Sequence, residues 1–568
     1  MHNGVLGCAV IGWRTGGFRV RIASCSPRVW PGRWWRRLPG AVNEAIQVAD
    51  SGRLAVGTGA WEEGQSLTLQ AFWLLAAKVV GFGISFALPL VLVRVLNQLQ
   101  FGLYKQSFLV ATTAQSILPL GFGLSAFYFL PRERDQKGRI VLNIAVFNTL
   151  AGLAGFLALA AYPNILVLLF GGAELVAYAP LIGLVVLLGI FSSFLEIVAT
   201  AHQEVRYSTI FIVAAQLTKS LFMLGAAVWF STLRALLVAA VLQGLVQSAI
   251  LLWYLRSRFP GFWSALDWGL LRTQFSYAMP LGVAGLVYAL RTDLHNYFVS
   301  HVFGPAAFAV YAVGCFQVPL VGLLLESVSA VLLSRISYLQ QQGERREILL
   351  LTMRVMRKLA AIYWPIYAFL LVTGRELLVV LFTPQYRESW PIFAINLTLL
   401  PLAVAVYDPI VRAFAERRYL FLGLRVTSLL VLLAGLWLGI ARLGMLGAIS
   451  AVVAVAFVER VAIGWIVVVT LGMKLADLRH LRDMIKLGAV AGAAGLLAAL
   501  VRLLLMRQPA LVILTGCGVV FLLAYCAGIV GLRVLTTEES QALRRHWNRL
   551  CGVLAVRLIR NRDNKIEF

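Results

Sequence analysis

Apolar runs of about 20 residues recur along most of the sequence, and each is long enough to cross the hydrocarbon core of a bilayer as a helix. Of the 568 residues, 60% are hydrophobic and 13% are charged, whereas soluble domains carry about 25% charged residues. In lipid, every backbone polar group needs an internal partner, so a spanning segment is a helix or a strand of a closed barrel. Barrel strands alternate apolar and polar side chains. These runs do not alternate, so the sequence predicts an all-α, polytopic membrane protein.

The apolar runs predict about fourteen transmembrane helices, arranged as two six-helix lobes followed by two C-terminal helices. We expect a basic, disordered N-terminal extension at 1–64, a first lobe at 65–256, a second lobe at 257–472, helices 13 and 14 at 473–532, and a basic cytoplasmic tail at 533–568. The predicted spans lie at about 68–93, 104–130, 140–162, 177–200, 208–230, 235–255, 274–299, 306–334, 355–381, 390–414, 419–440, 445–470, 487–506 and 509–532.

Basic residues support this order of spans, because they should concentrate in the cytoplasmic loops of a membrane protein. With the N-terminus inside, the cytoplasmic loops are 131–139, 201–207, 256–273, 335–354, 415–418 and 471–486, and they hold eighteen Lys and Arg residues. The predicted outer side holds Arg94, Arg375, Arg387, Arg442 and Arg507, with Lys105 at the edge of a span. A missed span would scramble this alternation, so we expect both termini in the cytoplasm.

The two ends of the chain are basic. Residues 1–64 have no acidic residue before Glu44, and they are interpreted as a disordered tail, as upstream sequence included by a wrong start codon, or as a Trp-Arg cluster at 30–37 lying on an anionic membrane surface. In the tail, apolar residues from Leu543 to Leu558 recur at helical spacing among arginines. That pattern predicts either a helix on the inner leaflet or a solvated tail.

A weak internal repeat relates the two lobes. Phe101-Gly102-Leu103-Tyr104 follows the first predicted span, and Phe308-Ala309-Val310-Tyr311 follows the seventh, 207 residues later. Repeats of six spans return the chain to the same side of the membrane. Such halves commonly enclose a site near the bilayer midplane and rock around it.

Charged residues inside the predicted spans are the candidate functional residues, because a charge in the bilayer is costly and usually faces a cavity or a partner. Cations in an apolar chamber suit an anionic group such as a pyrophosphate. Lys78, Lys219 and Arg291 are the predicted substrate-binding cations on this argument. The alternative is structural ion pairing, of Arg291 with Asp293 or Glu326 and of Lys219 with Glu196. The charged residues considered are Lys78, Glu196, Lys219, Arg291, Asp293, Glu326, Asp408, Arg412, Glu459 and Arg460.

Two carboxylates, Asp293 and Asp408, are candidates for coupling transport to an ion or a proton. A carboxyl group in a low-dielectric cavity holds its proton more tightly and can cycle it near physiological pH. Pro409 should kink the tenth span beside Asp408 and free backbone carbonyls there. The alternative role for Asp408 is to pair with Arg412, one turn later.

Several other classes of function are disfavoured. The net charge of +25 would suggest nucleic acid on a soluble protein, but here most basic residues lie in short loops and tails, so no nucleic-acid partner is expected. The six cysteines and six histidines show no metal-ligand spacing. The chain has no phosphate-binding loop, no Ser/His/Asp set and no long soluble segment to hold an active site. We expect neither a cofactor nor enzymatic activity.

Spans 1–12 contain a series of short motifs. They are Val93-Arg94-Val95-Leu96, Phe101-Gly102-Leu103-Tyr104, Gly121-Phe122-Gly123, Ser125, Phe127-Tyr128, Tyr277-Ala278-Met279-Pro280-Leu281, Asp293, Gly304, Tyr311-Ala312 and the stretch Leu332–Gln342. These motifs resemble bacterial polysaccharide and O-antigen flippases of the multidrug/oligosaccharidyl-lipid/polysaccharide exporter superfamily. The Pro that this family usually has in the stretch 333–337 is missing, and the basic extension at 1–64 is not a family feature.

The resemblance implies a cationic cavity between two lobes, alternating access, and transfer of an undecaprenyl-pyrophosphate-linked oligosaccharide across the bacterial inner membrane. Arg94, Pro280 and Asp293 match family patterns by position, and Arg94 joins the predicted substrate-binding set on that ground. Membrane lipids, a polysaccharide polymerase and a ligase are the implied partners. Two alternatives stay open: a cation-coupled multidrug exporter of the same superfamily, and a membrane glycosyltransferase or polymer ligase. The short predicted outer loops count against the last.

Overall fold

The computed structural model describes residues 67–132, 136–264, 266–318, 321–414, 418–473, 477, 479 and 482–532, and regular structure in these residues is helical throughout. An all-α fold is therefore confirmed. The predictions for residues 1–64 and for the tail 533–568 fall outside the described residues.

The first half of the described chain forms nine α-helices. Short 3₁₀ helices, Phe122–Leu124 and Val176–Tyr178, precede α3 and α6. The nine are α1 Leu67–Val95, α2 Gln98–Ile117, α3 Ser125–Phe129, α4 Lys137–Ala161, α5 Asn164–Phe170, α6 Ala179–Ser192, α7 Leu195–Ala201, α8 Val205–Phe230 and α9 Leu233–Arg258. We call this half the N-lobe.

The second half begins after the 3₁₀ helix Phe262–Ser264 and also forms nine α-helices in the described residues. The C-lobe consists of the first seven: α10 Trp268–Gly314, α11 Val321–Gln341, α12 Arg345–Phe382, α13 Trp390–Leu397, α14 Leu399–Ala403, α15 Asp408–Ala413 and α16 Arg418–Leu471. A 3₁₀ helix, Pro384–Ser389, lies between α12 and α13. The last two, α17 Arg482–Leu504 and α18 Ala510–Gly531, follow the C-lobe.

Ten helices of the described residues are long and apolar enough to span a membrane, or eleven if the bent segment formed by α2 and Phe122–Phe129 is one span. Several predicted spans are broken: the second at 118–121, the fourth at 193–194, and the tenth into α13, α14 and α15. Helical segments therefore lie at all the predicted positions, and the count of fourteen spans stays a prediction.

The 54-residue helix α16 is a hairpin rather than a continuous rod. Its backbone leaves the helical conformation at Gly444, where φ is 59°. A side chain on Gly447 would place its Cβ 1.9 Å from the carbonyl oxygen of Gly439, so the two arms touch through their backbones. The positive φ and this close approach both require glycine. The hairpin divides α16 at the predicted boundary between spans 11 and 12.

The two lobes meet along α2 and α10. A Cβ on Gly102 would lie 1.8 Å from the carbonyl oxygen of Pro305, so the backbones are in direct contact near one end of the interface. Near the other end, the rings of Tyr128 and Tyr277 stack with centroids 4.7 Å apart. Between these ends, Gln106 donates a hydrogen bond to Ser300 over 2.7 Å. Small residues and polar contacts of this kind hold helices together in lipid, where burial of apolar surface provides no driving force.

Helices α17 and α18 dock against α12 of the C-lobe. Arg502 donates to Glu376 over 2.8 Å, and Tyr525 donates to the carbonyl oxygen of Ala361 over 2.9 Å. An apolar groove of about 380 Å³ lies between α12 and α17, lined by the rings of Trp364 and Tyr367 and by small residues. Gly492 forms part of its wall and has open space in front of its Cα atom.

The exposed surface is apolar with aromatic residues near helix ends, as expected at membrane–water interfaces. Tyr162, Trp229 and Phe230 are exposed at or next to the predicted outer ends of α4 and α8. Arg234 lies at the predicted outer start of α9, where it adds one basic residue to the outer set. The predicted cytoplasmic side still holds more basic residues than the predicted outer side after this addition.

Candidate functional site

Five charged side chains form one ion-pair network inside the C-lobe. Arg425 bridges two carboxylates, with 2.7 Å contacts to both Asp408 and Glu459. Arg460 contacts the other oxygen of Asp408 over 3.2 Å, and Arg291 pairs with Glu459. The network therefore connects α10, α15 and both arms of α16.

A broken helix places Asp408 in this network. The chain leaves the helical conformation after α14, and α15 starts at Asp408 with Pro409 in its first turn, where the missing backbone N–H costs nothing. The break frees the carbonyl oxygen of Ala405, which accepts a 2.9 Å hydrogen bond from Arg460. The predicted distortion of the tenth span and the freed carbonyl beside Asp408 are both confirmed.

The partners in the network differ from the alternatives considered in the sequence. Arg291 pairs with Glu459 rather than with Asp293 or Glu326, and Asp408 pairs with Arg425 and Arg460. Glu459 is only 4% exposed, so its charge depends on these guanidinium groups. Three guanidinium groups against two carboxylates leave one net positive charge.

Arg425 is not among the residues predicted from the sequence. Its position could have indicated it, because Arg425 is a charged residue inside the apolar eleventh span and belongs with the other in-span charges. Only the fold shows that it holds the two carboxylates together.

Asp293 lies apart from the network, at the interface between the lobes. It accepts a 2.7 Å hydrogen bond from the hydroxyl group of Thr113 on α2. Among the ion pairs of the described residues, none involves Asp293. A half-buried carboxyl group with a neutral partner can gain or lose a proton without breaking an ion pair, and it can also contribute oxygen ligands to a cation.

A polar cavity of about 300 Å³ lies inside the N-lobe, between α2, α6, α8 and α9. Lys219 and Glu196, which the sequence analysis considered together, both line it. Its other polar lining residues are Thr112, Gln115, Ser192, Ser193, Gln216, Gln243 and Gln247.

A second cation lies within electrostatic range of Lys219, namely the ammonium group of Lys105 on α2. The Nζ atom of Lys219 lies 6.0 Å from the ring centroid of Phe108, and that of Lys105 lies 5.5 Å from the centroid of Phe101. Lys105 lies at the predicted edge of a span, on α2, and both α2 and α8 contribute residues to the lining of the polar cavity.

The remaining predicted cations lie elsewhere. Arg94 reaches across to the C-lobe and donates 2.8 Å hydrogen bonds to the carbonyl oxygens of Val380 and Leu381, at the end of α12. Gln98 donates to the carbonyl oxygen of Gln385 over 2.8 Å. We call these contacts the outer latch, after the side where the topology predicts them. Lys78 falls in α1, and its side chain lies outside the described part of the structure.

Solved structures with this fold are membrane transporters. The lipid II flippase MurJ in an inward closed conformation matches with a TM-score of 0.63 and 12% identity, over 82% of this chain and 99% of MurJ. A multidrug resistance MATE family transporter of the MOP superfamily, in an inward-facing conformation, matches with a TM-score of 0.53 and 12% identity, over 72% and 96% of the two chains. A MOP superfamily transporter from Pyrococcus furiosus, with a TM-score of 0.51 and 12% identity, covers 72% and 97%. No curated protein matches the sequence.

The described helices define a class, the polytopic α-helical membrane proteins, with a fold that is shared with transporters of the MOP superfamily. The chain belongs to the family described as polysaccharide biosynthesis protein, whose model matches residues 91–391, just over half of the sequence. The resemblance seen in the sequence motifs is thereby confirmed.

Proposed function

We propose that the protein is a flippase that moves an undecaprenyl-pyrophosphate-linked oligosaccharide across the cytoplasmic membrane for polysaccharide biosynthesis. The observation that carries this proposal is the polar cavity lined by Lys219, with Lys105 within electrostatic range, inside the N-lobe of a member of a polysaccharide biosynthesis family. The two lysine charges repel each other, and an anion that binds near both is attracted to each. A diphosphate group carries the negative charge that lysine ammonium groups bind.

The lobes supply the means of transfer. In transporters built from two similar halves, the halves rock about a site near the midplane and expose it to each side in turn. The lysine pair lies in the N-lobe, and the network containing Arg291 carries one net positive charge in the C-lobe. The outer latch of Arg94 and Gln98 connects the lobes on the predicted outer side and must break when that side opens. Lys78 on α1 remains a fourth candidate cation.

Asp293 and Asp408 take different parts in this proposal. Asp293 bonds to Thr113 across the lobe interface, so a change in its protonation or cation occupancy acts on the contact that must move. Asp408 is held by Arg425 and Arg460 and keeps the C-lobe cations in place. We therefore infer that Asp293, rather than Asp408, couples transport to an ion gradient or to the membrane potential.

The apolar groove beside α17 suits the hydrocarbon part of such a substrate. It is lined by small and aromatic side chains and accommodates a chain without polar partners. The similarity of the whole fold to a structure named lipid II flippase supports a lipid-linked substrate. We place the protein in the inner membrane with both termini in the cytoplasm, surrounded by membrane lipids, and it passes its product to a polymerase and a ligase.

A cation-coupled multidrug exporter is the second candidate, because the fold is also that of MATE transporters. Asp293 and Glu196 are the carboxylates that would attract an organic cation. The lysine pair opposes such a ligand in the N-lobe.

The test uses purified protein in proteoliposomes that contain a fluorescent farnesyl-diphosphate-linked sugar, with translocation read by quenching from one side. Lys219→Gln and Lys105→Gln remove one charge each, and Lys486→Gln is the matched control because Lys486 pairs with Asp483 on a helix end far from the cavity. We expect translocation by the wild type and the control, and a loss of about tenfold or more in each cavity variant.

The second candidate replaces the first if the wild type fails to move the diphosphate-linked probe but moves a lipophilic cation such as ethidium. Complementation in cells also distinguishes the two candidates. It uses a bacterium that lacks a polysaccharide flippase and measures the surface polymer. The residue assignment alone is overturned if both lysine variants move the probe at the wild-type rate.

A further inference from the structure

The N-lobe cavity has a composition that the diphosphate alone does not require. Four carboxamide side chains, from Gln115, Gln216, Gln243 and Gln247, line a space of about 300 Å³. The protein uses part of their capacity itself, because Ser85 donates to Gln216 over 2.6 Å and Ser192 to Gln247 over 3.3 Å. The cavity therefore offers a wall of amide and hydroxyl groups beside Lys219.

Carboxamides and hydroxyls each donate and accept hydrogen bonds. A sugar ring carries hydroxyl groups with the same double capacity, so such a lining can satisfy it from several directions. Pockets for drug-like molecules are lined mostly by apolar and aromatic groups. In this cavity the aromatic contribution comes from Phe108 and Phe211, which can cover the apolar face of one ring.

The cavity is large enough for a sugar. A volume of about 300 Å³ accommodates a monosaccharide unit.

The position of Lys219 connects the cavity to the anion site. Lys219 lines the cavity, and Lys105 on α2 lies within electrostatic range of it. A diphosphate held by the two lysines would carry its first sugar at the cavity. We propose that this cavity binds the sugar unit attached directly to the diphosphate, so that the N-lobe selects substrates by their reducing-end sugar. This inference rests on the proposed function.

The charged interior of the C-lobe is arranged differently. There Arg425 is joined to Asp408 and Glu459 by ion pairs, whereas Lys219 of the N-lobe lines a polar cavity. We therefore assign selection by a sugar to the N-lobe.

The experiment measures binding of four probes to purified protein in detergent: farnesyl diphosphate, and farnesyl diphosphate carrying glucose, galactose or N-acetylglucosamine. The variants are Gln243→Leu and Gln247→Leu, which keep side-chain bulk and remove hydrogen bonding. Gln342→Leu is the control, because Gln342 is exposed in the turn after α11. Binding of farnesyl diphosphate reports whether each variant has folded with its lysine pair intact.

We expect the wild type and the control to bind at least one sugar-bearing probe about five- to tenfold more tightly than bare farnesyl diphosphate. The cavity variants should lose that preference and keep the affinity for farnesyl diphosphate. The inference is overturned if the wild type shows no preference among the four probes, or if both variants retain it. Failure of the wild type to bind farnesyl diphosphate at all counts against the flippase proposal itself.

Discussion

Thr113 donates its hydroxyl hydrogen to Asp293 across the interface between the lobes, over 2.7 Å and 180 residues of sequence. This contact bridges α2 and α10, the helices at the lobe interface that must separate or slide during alternating access. Its loss should therefore affect the coupling of transport to an ion more than it affects folding.

Thr113→Val should alter the dependence of transport on pH or sodium while leaving the protein folded. Valine matches threonine in shape and removes the donor, which leaves a half-buried carboxylate short of one partner at a cost of about 1–3 kcal/mol. Translocation in proteoliposomes across a pH series, with and without a sodium gradient, measures the effect. Thr149→Val is the control, because Thr149 bonds only to its own helix. An unchanged profile in Thr113→Val and in Asp293→Asn would contradict the coupling role.

Arg425→Met should strongly destabilise the C-lobe, because it leaves Asp408 and Glu459 short of a counter-charge inside the membrane. Removing one partner from a buried ion pair typically costs about 3–5 kcal/mol. Asp408→Asn combined with Arg425→Met should recover part of that loss, since it removes one of the stranded charges. Thermal unfolding in detergent is measured for the wild type, the two single variants and the double variant, which together form a double-mutant cycle. Strict additivity of the two changes would show that the residues do not act as a network.

The outer latch should respond to cross-linking. Cysteines in place of Gln98 and Gln385, joined by a short bifunctional thiol reagent, should fix the contact between the lobes and stop translocation. Cleavage of a reducible linker should restore it. The same pair without reagent is the control, and Arg94→Gln should increase labelling of these cysteines from the outer side. Full transport by the cross-linked protein would show that the latch does not open in the cycle.

Gly102→Ala should weaken the contact between the lobes. The added Cβ would lie 1.8 Å from the carbonyl oxygen of Pro305, a backbone atom that cannot move alone. Overpacking of this kind costs about 1–3 kcal/mol. Gly285→Ala on α10 is the matched control, since nothing lies within 4 Å of its Cβ position. The unfolding temperatures of the two variants are compared. Equal values would mean that the interface accommodates the added methyl group without cost.

Gly492→Leu should slow the transfer of a lipid-linked probe without lowering stability. The leucine has open space in front of it and would fill the apolar groove beside α17. Gly531→Leu, at the exposed end of α18, is the control. Initial rates with long and short isoprenoid tails provide the measurement. A rate for the long-tailed probe equal to that of the wild type would exclude the groove as its path.

Particular residues show how far the sequence alone reaches. The break at Asp408 could be predicted because Pro409 has no N–H and constrains the preceding turn. The charges of Lys219, Arg291 and Asp293 stood out because ionised groups are rare in apolar spans. Arg425 and Lys105 have the same property, and Lys105 went unrecognised because a span boundary is uncertain by a few residues.

The partners of these residues could not be predicted. Arg291 and Glu459 are 168 residues apart and pair because α10 packs against the second arm of α16. The positions of Lys105 and Lys219 relative to each other depend on how α2 and α8 are arranged around the cavity. Patterns of neighbouring residues in the sequence do not show which faces of long helices meet. A helix face that contacts lipid and a face that contacts another helix are both apolar.

The sequence by itself determined that the chain is a polytopic helical membrane protein, because apolar segments in lipid must satisfy their own backbone hydrogen bonds. It also determined which residues carry charge into the membrane. Only the tertiary structure decided which charges neutralise each other in the C-lobe and which line a polar cavity in the N-lobe. That distinction depends on distances of a few ångströms between side chains on different helices, where the low dielectric makes each pairing strong.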